Sequence, residues 1–263
     1  MPYRVDVANA SETAFDVLIE LGALDIELEP GGLAALMPDA VPAGVLCAAL
    51  GGSRIRVSPA LGRDDESVWT LRQRPVRVRS LRILPAGEPA GPDTIRLTDS
   101  PAFGTGLHAT TALCLEAIDD VIEAATPRRM LDVGTGSGIL ALASLKRGVS
   151  RAVGLDLDRV ALQTALDNAR LNGVADRTLL VRGGPDSVLG SWPLVVANIR
   201  AADLMEMAAA LVRRVDRSGR LVLSGIPDGV AADVELTYRA LGMKPLSLAS
   251  RDGWSALLLC PSW

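Results

Sequence analysis

The sequence predicts an α/β fold: a mostly parallel sheet with helices on both faces, preceded by a small α+β domain. Three observations carry this. Beyond residue 98, short apolar runs alternate strictly with helix-length segments. The first of those runs turns into its helix through a glycine-rich stretch, Gly134–Gly138. A segment dense in Pro and Gly, Pro85–Pro92, separates this region from one with a different rhythm. Strand and helix in strict turn imply a parallel sheet covered on both sides, with its ligand at the carboxyl ends of the strands.

In the first region Tyr3–Val7 alternates as a strand, and Ser11–Leu21 is helical with Gly22 as its stop. Asp25–Glu29, Arg54–Val57 and Arg77–Leu84 alternate again. These residues, 1–84, are assigned to a small α+β domain with no visible catalytic group. Residues 85–97 are assigned to an extended linker. In the third region, 98–263, the strands are Met130–Val133, Ala152–Leu155, Leu179–Val181, Leu194–Ala197, Leu221–Ser224 and Ala256–Leu259. The helices between them are Ile139–Lys146, Val160–Leu171, Leu204–Val215 and Val230–Leu241.

Composition narrows the function classes. At 263 residues the chain can bury a substantial core, and 49% hydrophobic with 22% charged residues is ordinary for a globular protein. No apolar run reaches the ~20 residues of a membrane span, and the N-terminus lacks a signal-peptide stretch, so a cytoplasmic protein without membrane contact is expected. Cys47, Cys114 and Cys260 form no CxxC pair, and there is one histidine, so no metal site is expected. A net charge of -4 argues against direct sequence-specific nucleic-acid binding. Arg72, Arg74, Arg77, Arg79 and Arg82 crowd one acid-free stretch. They read as a solvated face or, functionally, as a contact for an acidic or RNA-bearing partner.

Four motifs carry chemistry. Leu131-Asp132-Val133-Gly134-Thr135-Gly136-Ser137-Gly138 sits where the first strand becomes a helix. Glycines let backbone approach a ligand that a Cβ would block. The spacing is G-x-G-x-G, not the G-x-G-x-x-G of nucleotide dehydrogenases. With Asp132 two residues before the first glycine, a pyrophosphate would be poorly served. A cofactor bearing an amino group and a sulfonium suits the site better. Asp156, in Gly154-Leu155-Asp156-Leu157-Asp158, lies 22 positions after Gly134, near the ~20 expected for a carboxylate on ribose hydroxyls. Asp158 directly precedes a helix and suits the N-cap role. Ala102–Thr111, reading AFGTGLHATT, is too polar for a core segment and reads as a loop over a ligand, with the lone histidine, His108, inside it. Asn198, in Ala197-Asn198-Ile199, ends a strand with a carboxamide able to accept a hydrogen bond from an amine and orient its lone pair.

Together these segments, with Asn172-Gly173-Val174 and the later Gly219–Ile226, resemble the bacterial ribosomal protein L11 methyltransferase family. The resemblance is close from Ala102 to Ile226. It is looser before that, through Trp69, Pro75 and Leu81–Pro85. It implies a Rossmann-like class I methyltransferase domain with a mostly parallel seven-stranded sheet, and that the small domain, 1–84, recognises the substrate. It also implies S-adenosylmethionine as cofactor, S-adenosylhomocysteine as product, and lysine and N-terminal α-amines of ribosomal protein L11 as acceptors. A monomer is expected. Matching by motif, Phe103, Gly104, Thr105, Thr111, Asp132, Gly134, Gly136, Asp156 and Asn198 are the expected cofactor-binding residues. Asn198 and His108 are the candidate catalytic residues. Other acceptors, a protein lysine or a small-molecule amine, and a non-catalytic cofactor-binding protein are the competing readings. One departure is local: where the family has an Asp-Pro-Gly run before the AFGTG segment, this chain has Thr98-Asp99-Ser100-Pro101.

Overall fold

The computed structural model describes residues 3–263 except 11, 24, 30, 39, 52, 60, 63–68, 71–74, 92 and 99–107. The chain divides into two compact units. One spans Met1–Gln73, and the other takes in Arg74–Thr98 and the described residues from His108 onward.

The first unit runs β1 (Tyr3–Ala8), α1 (Glu12–Glu20), β2 (Asp25–Glu29), β3 (Gly32–Met37), α2 (Ala43–Ala49) and β4 (Arg54–Pro59). Its sheet has the order β2-β3-β1-β4, antiparallel throughout. A βαββαβ chain in that order is the split-βαβ arrangement. Val5 and Val7 of β1 point to one face and meet Ala14 and Leu18 of α1, one helical turn apart, and Leu46 of α2. A two-residue pairing, β5 (Leu61–Gly62) with β6 (Trp69–Thr70), follows. The strand β3 and the helix α2 escaped the sequence reading. In β3 the run Gly-Leu-Ala-Ala-Leu-Met is buried on both faces, so no alternation betrays it. The helix α2 starts after Pro42 with no side-chain cap to mark it.

The second unit opens with β7 (Val76–Val78), β8 (Leu81–Pro85) and β9 (Thr94–Leu97), a three-stranded sheet with β7 antiparallel and β9 parallel to β8. This corrects the expected linker over 85–97 and moves the start of the larger unit ahead of residue 98. The Pro/Gly-dense stretch makes turns, with Glu88 N–H donating to the Pro85 carbonyl at 3.1 Å and Thr94 N–H to that of Gly91 at 3.3 Å. The alternation Thr-Ile-Arg-Leu then buries Ile95 and Leu97 fully.

Next come α3 (Ala109–Ala124), β10 (Arg129–Val133), α4 (Ile139–Lys146), β11 (Arg151–Asp156), α5 (Arg159–Leu171), β12 (Thr178–Arg182) and β13 (Trp192–Asn198). They are followed by α6 (Ala201–Glu206), α7 (Ala208–Arg213), β14 (Val215–Pro227), α8 (Ala231–Ala240), β15 (Met243–Arg251) and β16 (Trp254–Pro261). The sheet order is β12-β11-β10-β13-β14-β16-β15, parallel except for β16, which runs against both neighbours. The expected helix 204–215 is two short helices broken at Met207, and Val215 already belongs to β14.

Alternate strand residues feed two cores. Met130, Ala152, Leu194 and Val196 pack with α3, α4 and β7–β9. Leu131, Val133, Leu155, Val195 and Ala197 pack with α6–α8. The helix α4 is buried at seven successive residues, Ile139–Leu145, as a helix inside a core must be. By the same alternation Asp132, Asp156 and Asn198 belong to the α3–α4 face. The strand order reverses between β10 and β13, the switch point where open α/β sheets take ligands.

Candidate functional site

At this switch point the carboxyl ends of β10, β11 and β13 bring Asp132, Asp156 and Asn198 to one edge of the sheet. The turn after β10 is fixed by backbone bonds to the next strand: Gly134 and Thr135 N–H both donate to the Leu155 carbonyl at 2.8 Å. Gly134, Gly136 and Gly138 all have left-handed φ, of 73°, 55° and 82°, a conformation L side chains resist. At Gly138 a Cβ would also lie 3.1 Å from that of Ala165, so the glycine lets α4 start against α5.

Asp156 is half-buried and braces this turn. Its Oδ2 accepts Gly136 N–H and its Oδ1 accepts Asp158 N–H, each at 2.9 Å. Each carboxylate oxygen keeps a second lone pair for a ligand hydroxyl. Asp158 caps α5 as expected, accepting Val160 N–H at 2.9 Å.

Asp132 sits differently. It is fully buried, and its Oδ2 accepts the Thr135 hydroxyl at 2.7 Å while Oδ1 finds no hydrogen-bond partner among the described residues. Burial pushes its carboxyl up to about 7, against the opposing Thr135 hydroxyl and Ala141 backbone bonds and with a smaller push from the nearby charge of Asp156. Thr111, in the first turn of α3, and Asn198 are also buried, each with a side-chain oxygen lacking a partner among the described residues. Orphaned buried oxygens carry a desolvation cost, which a ligand donor relieves.

His108 is the N-cap of α3. Its Nδ1 lies 2.8 Å from the Thr110 hydroxyl and accepts Thr110 N–H at 3.4 Å. Its ring packs edge-on against Trp254, with centroids 4.9 Å apart. Phe103, Gly104 and Thr105 lie outside the described residues, as do Arg72 and Arg74. Of the other arginines singled out, Arg77 and Arg82 face each other across β7 and β8, exposed, and Arg79 pairs with Asp120 at 2.7 Å. Among the described residues no cluster could hold a metal ion, and no helix is long and apolar enough to cross a membrane.

Two site residues were not foreseen. Ile199 is clasped between glycines: a Cβ on Gly134 would lie 2.3 Å from its Cγ2, and one on Gly225 2.1 Å from its carbonyl oxygen. The signal was there in Ser224-Gly225-Ile226, since glycine inside an apolar strand marks a close backbone approach. The partner of His108, Trp254, had no signal, because the two lie far apart in the sequence.

The geometry can be set beside known proteins. The family model of the ribosomal protein L11 methyltransferase (PrmA) matches residues 50–260. The Ribosomal protein L11 methyltransferase of Syntrophotalea carbinolica is 40% identical over 67% of this chain, which spans only 59% of that relative's length. The relative from Geobacter sulfurreducens is 39% identical over 80% of this chain and 72% of its own. That from Myxococcus xanthus is 34% identical over 94% of this chain and 93% of its own. The crystal structure of a ribosomal protein L11 methylase from Lactobacillus delbrueckii subsp. bulgaricus superposes with a TM-score of 0.66 and 29% identity. It covers 72% of this chain and 99% of the other. By its sequence matches along most of its length and by the sheet order that carries its site, this chain belongs to the ribosomal protein L11 methyltransferase family.

Proposed function

We propose that this protein transfers methyl groups from S-adenosylmethionine to amines of ribosomal protein L11, lysine side chains and the N-terminal α-amine, in the cytoplasm, releasing S-adenosylhomocysteine. The observation that carries the reading is the buried amide oxygen of Asn198, without a partner among the described residues, at a strand tip beside a carboxylate-flanked glycine turn. The residues fit the cofactor. Asp156 keeps lone pairs for two ribose hydroxyls, and the Gly134–Gly138 turn offers Cβ-free backbone. The carboxylates of Asp132 and Asp156 suit a sulfonium and repel a pyrophosphate. Gly136 N–H, one donor a phosphate would need, is already taken by Asp156.

When bound, the cofactor supplies an electrophilic methyl group. The protein's part is orientation, and alignment of a bound pair is worth ~7–11 kcal/mol. Asn198 accepts a hydrogen bond from the neutral amine and aims its lone pair. An α-amine near pKa ~8 is partly neutral already, whereas a lysine near ~10.4 must lose a proton. We assign His108 to position: its Nδ1 is engaged in capping α3, and solvent takes the proton.

The test is transfer of labelled methyl groups to purified ribosomal protein L11, followed by identification of the labelled amines. Label on L11 amines that falls at least a hundredfold with Asn198→Ala supports the reading. No label on L11, with label on another protein or a small amine from the same cells, would replace the acceptor and keep the chemistry.

A further inference from the structure

Asn168 lies in the third turn of α5 and is fully buried. Its Oδ1 accepts the Thr98 N–H at 2.9 Å and the Thr98 hydroxyl at 3.0 Å. Its Nδ2 donates to the carbonyl of Ser137, inside the glycine turn, at 2.9 Å. One helical turn on, Asn172 accepts Arg96 N–H at 2.9 Å and donates to the carbonyls of Arg96 and Asn168, both at 2.7 Å. Arg96 in turn donates through Nη2 to the Leu171 carbonyl at 2.7 Å.

The spacing explains itself. Four residues of helix advance ~6 Å, and two residues of strand ~6.6 Å. Amides four apart on α5 therefore meet backbone groups two apart, at Arg96 in β9 and at Thr98 just past its end. They act as a side-chain strand along the edge of β9 that β8 leaves open. Asn172 serves that edge and the Asn168 carbonyl of its own helix, and makes no bond to the glycine turn among the described residues. Asn168 serves the edge and the glycine turn together.

We propose that Asn168 is a positioning residue that locks the glycine turn to the exit of β9, so that the cofactor turn and the end of that strand share one register. Its bearing on methyl transfer rests on the function proposed above; the tether itself does not. A carboxamide is needed because one group must accept from Thr98 and donate to Ser137 at once. Nothing in the chemistry of the reaction passes through it.

The experiment is amide hydrogen exchange on the cofactor-free full chain, with S-adenosylhomocysteine affinity measured alongside. Asn168→Ala should speed exchange at least tenfold in both 134–138 and 94–97. Asn172→Ala, an equal loss of amide from the same helix face, should loosen 94–97 alone. Should Asn168→Ala fail to fold, Asn168→Asp keeps the acceptor for Thr98 and loses the donor to Ser137, so only 134–138 should loosen. Both Asn168 variants should bind S-adenosylhomocysteine at least tenfold more weakly, and Asn172→Ala should bind it as the parent does. Unchanged exchange at 134–138 in the Asn168 variants, or equal loosening there in Asn172→Ala, overturns the tether. A parent chain that shows this exchange pattern but binds no S-adenosylhomocysteine would overturn the proposed function and leave the tether standing.

Discussion

The two sides of the glycine turn are built on opposite principles. On one side, toward β13 and β14, Ile199 is packed against Gly134 and Gly225, and Asp132 and Asn198 are buried with oxygens unmet among the described residues. On the other, at the end of β11, Asp156 is half-buried with both oxygens braced by backbone N–H groups, and Leu157 beside it is 71% exposed. Two aspartates on neighbouring strands thus do different work because their surroundings differ. In the proposed function, the buried wall sets shape and field, and the open rim reads the ligand. A carboxylate already oriented by backbone donors costs little further entropy to use.

The wall is where a small change should do most harm. Gly225→Ala puts a Cβ 2.1 Å from a backbone oxygen at a φ of +81°. It should cost roughly 2–4 kcal/mol, from overpacking and backbone strain together, measurable as a lowered denaturant midpoint. On the rim side Gly184 has no atom of the described residues within 4 Å of an added Cβ, and Gly184→Ala should cost far less. Equal effects at the two positions would break the comparison.

The next effect is a pH dependence. The Asp132 carboxyl is raised from 3.8 to about 7 in the folded chain, so the folded state favours its protonated form. Its contribution to stability is therefore fully present below about pH 4 and is lost as pH rises towards 7, at up to ~1.4 kcal/mol per pH unit. Asp132→Asn removes that slope. Its stability advantage over the parent should grow between pH 4 and 7 and level off above, read by urea titration at several pH values. A gap independent of pH would mean Asp132 is not the desolvated group of this wall.

How much of this could be read beforehand follows from the same contrast. The glycine turn, Asp156 and the cap at Asp158 are local, held by residues close in sequence or by a fixed spacing across one βαβ unit, and the sequence shows them. Six of the seven strands announce themselves as apolar runs. The seventh, β15, is an edge strand whose Lys244, Ser247 and Ser250 face outward, so it has no such run. Ile199 between Gly134 and Gly225, Trp254 against His108, and Asn168 between Thr98 and Ser137 depend on chain crossings that no local pattern encodes. The linker expectation over 85–97 fails for a related reason: the turn residues of Pro85–Pro92 dominate the local pattern, and the strand Thr94–Leu97 after them is only four residues long.

A smaller effect concerns His108. Asn is as good an N-cap as the position could carry, so His108→Asn should preserve α3 and lower turnover less than tenfold, with the pH–rate profile unchanged. A loss of a hundredfold or more, with an acidic limb gone from the profile, would return His108 to the role of base.

The open rim is the most direct test of the account, because it claims that Asp156 reads a ribose of a cofactor without a phosphate bridge. The measurement is calorimetric titration of S-adenosylhomocysteine and of NAD into the full chain and its Asp156→Ala variant. The account predicts heat with S-adenosylhomocysteine and none with NAD, and an affinity weakened by roughly 1–3 kcal/mol in the variant. Binding of NAD without S-adenosylhomocysteine, or an affinity that Asp156→Ala leaves unchanged, would contradict it.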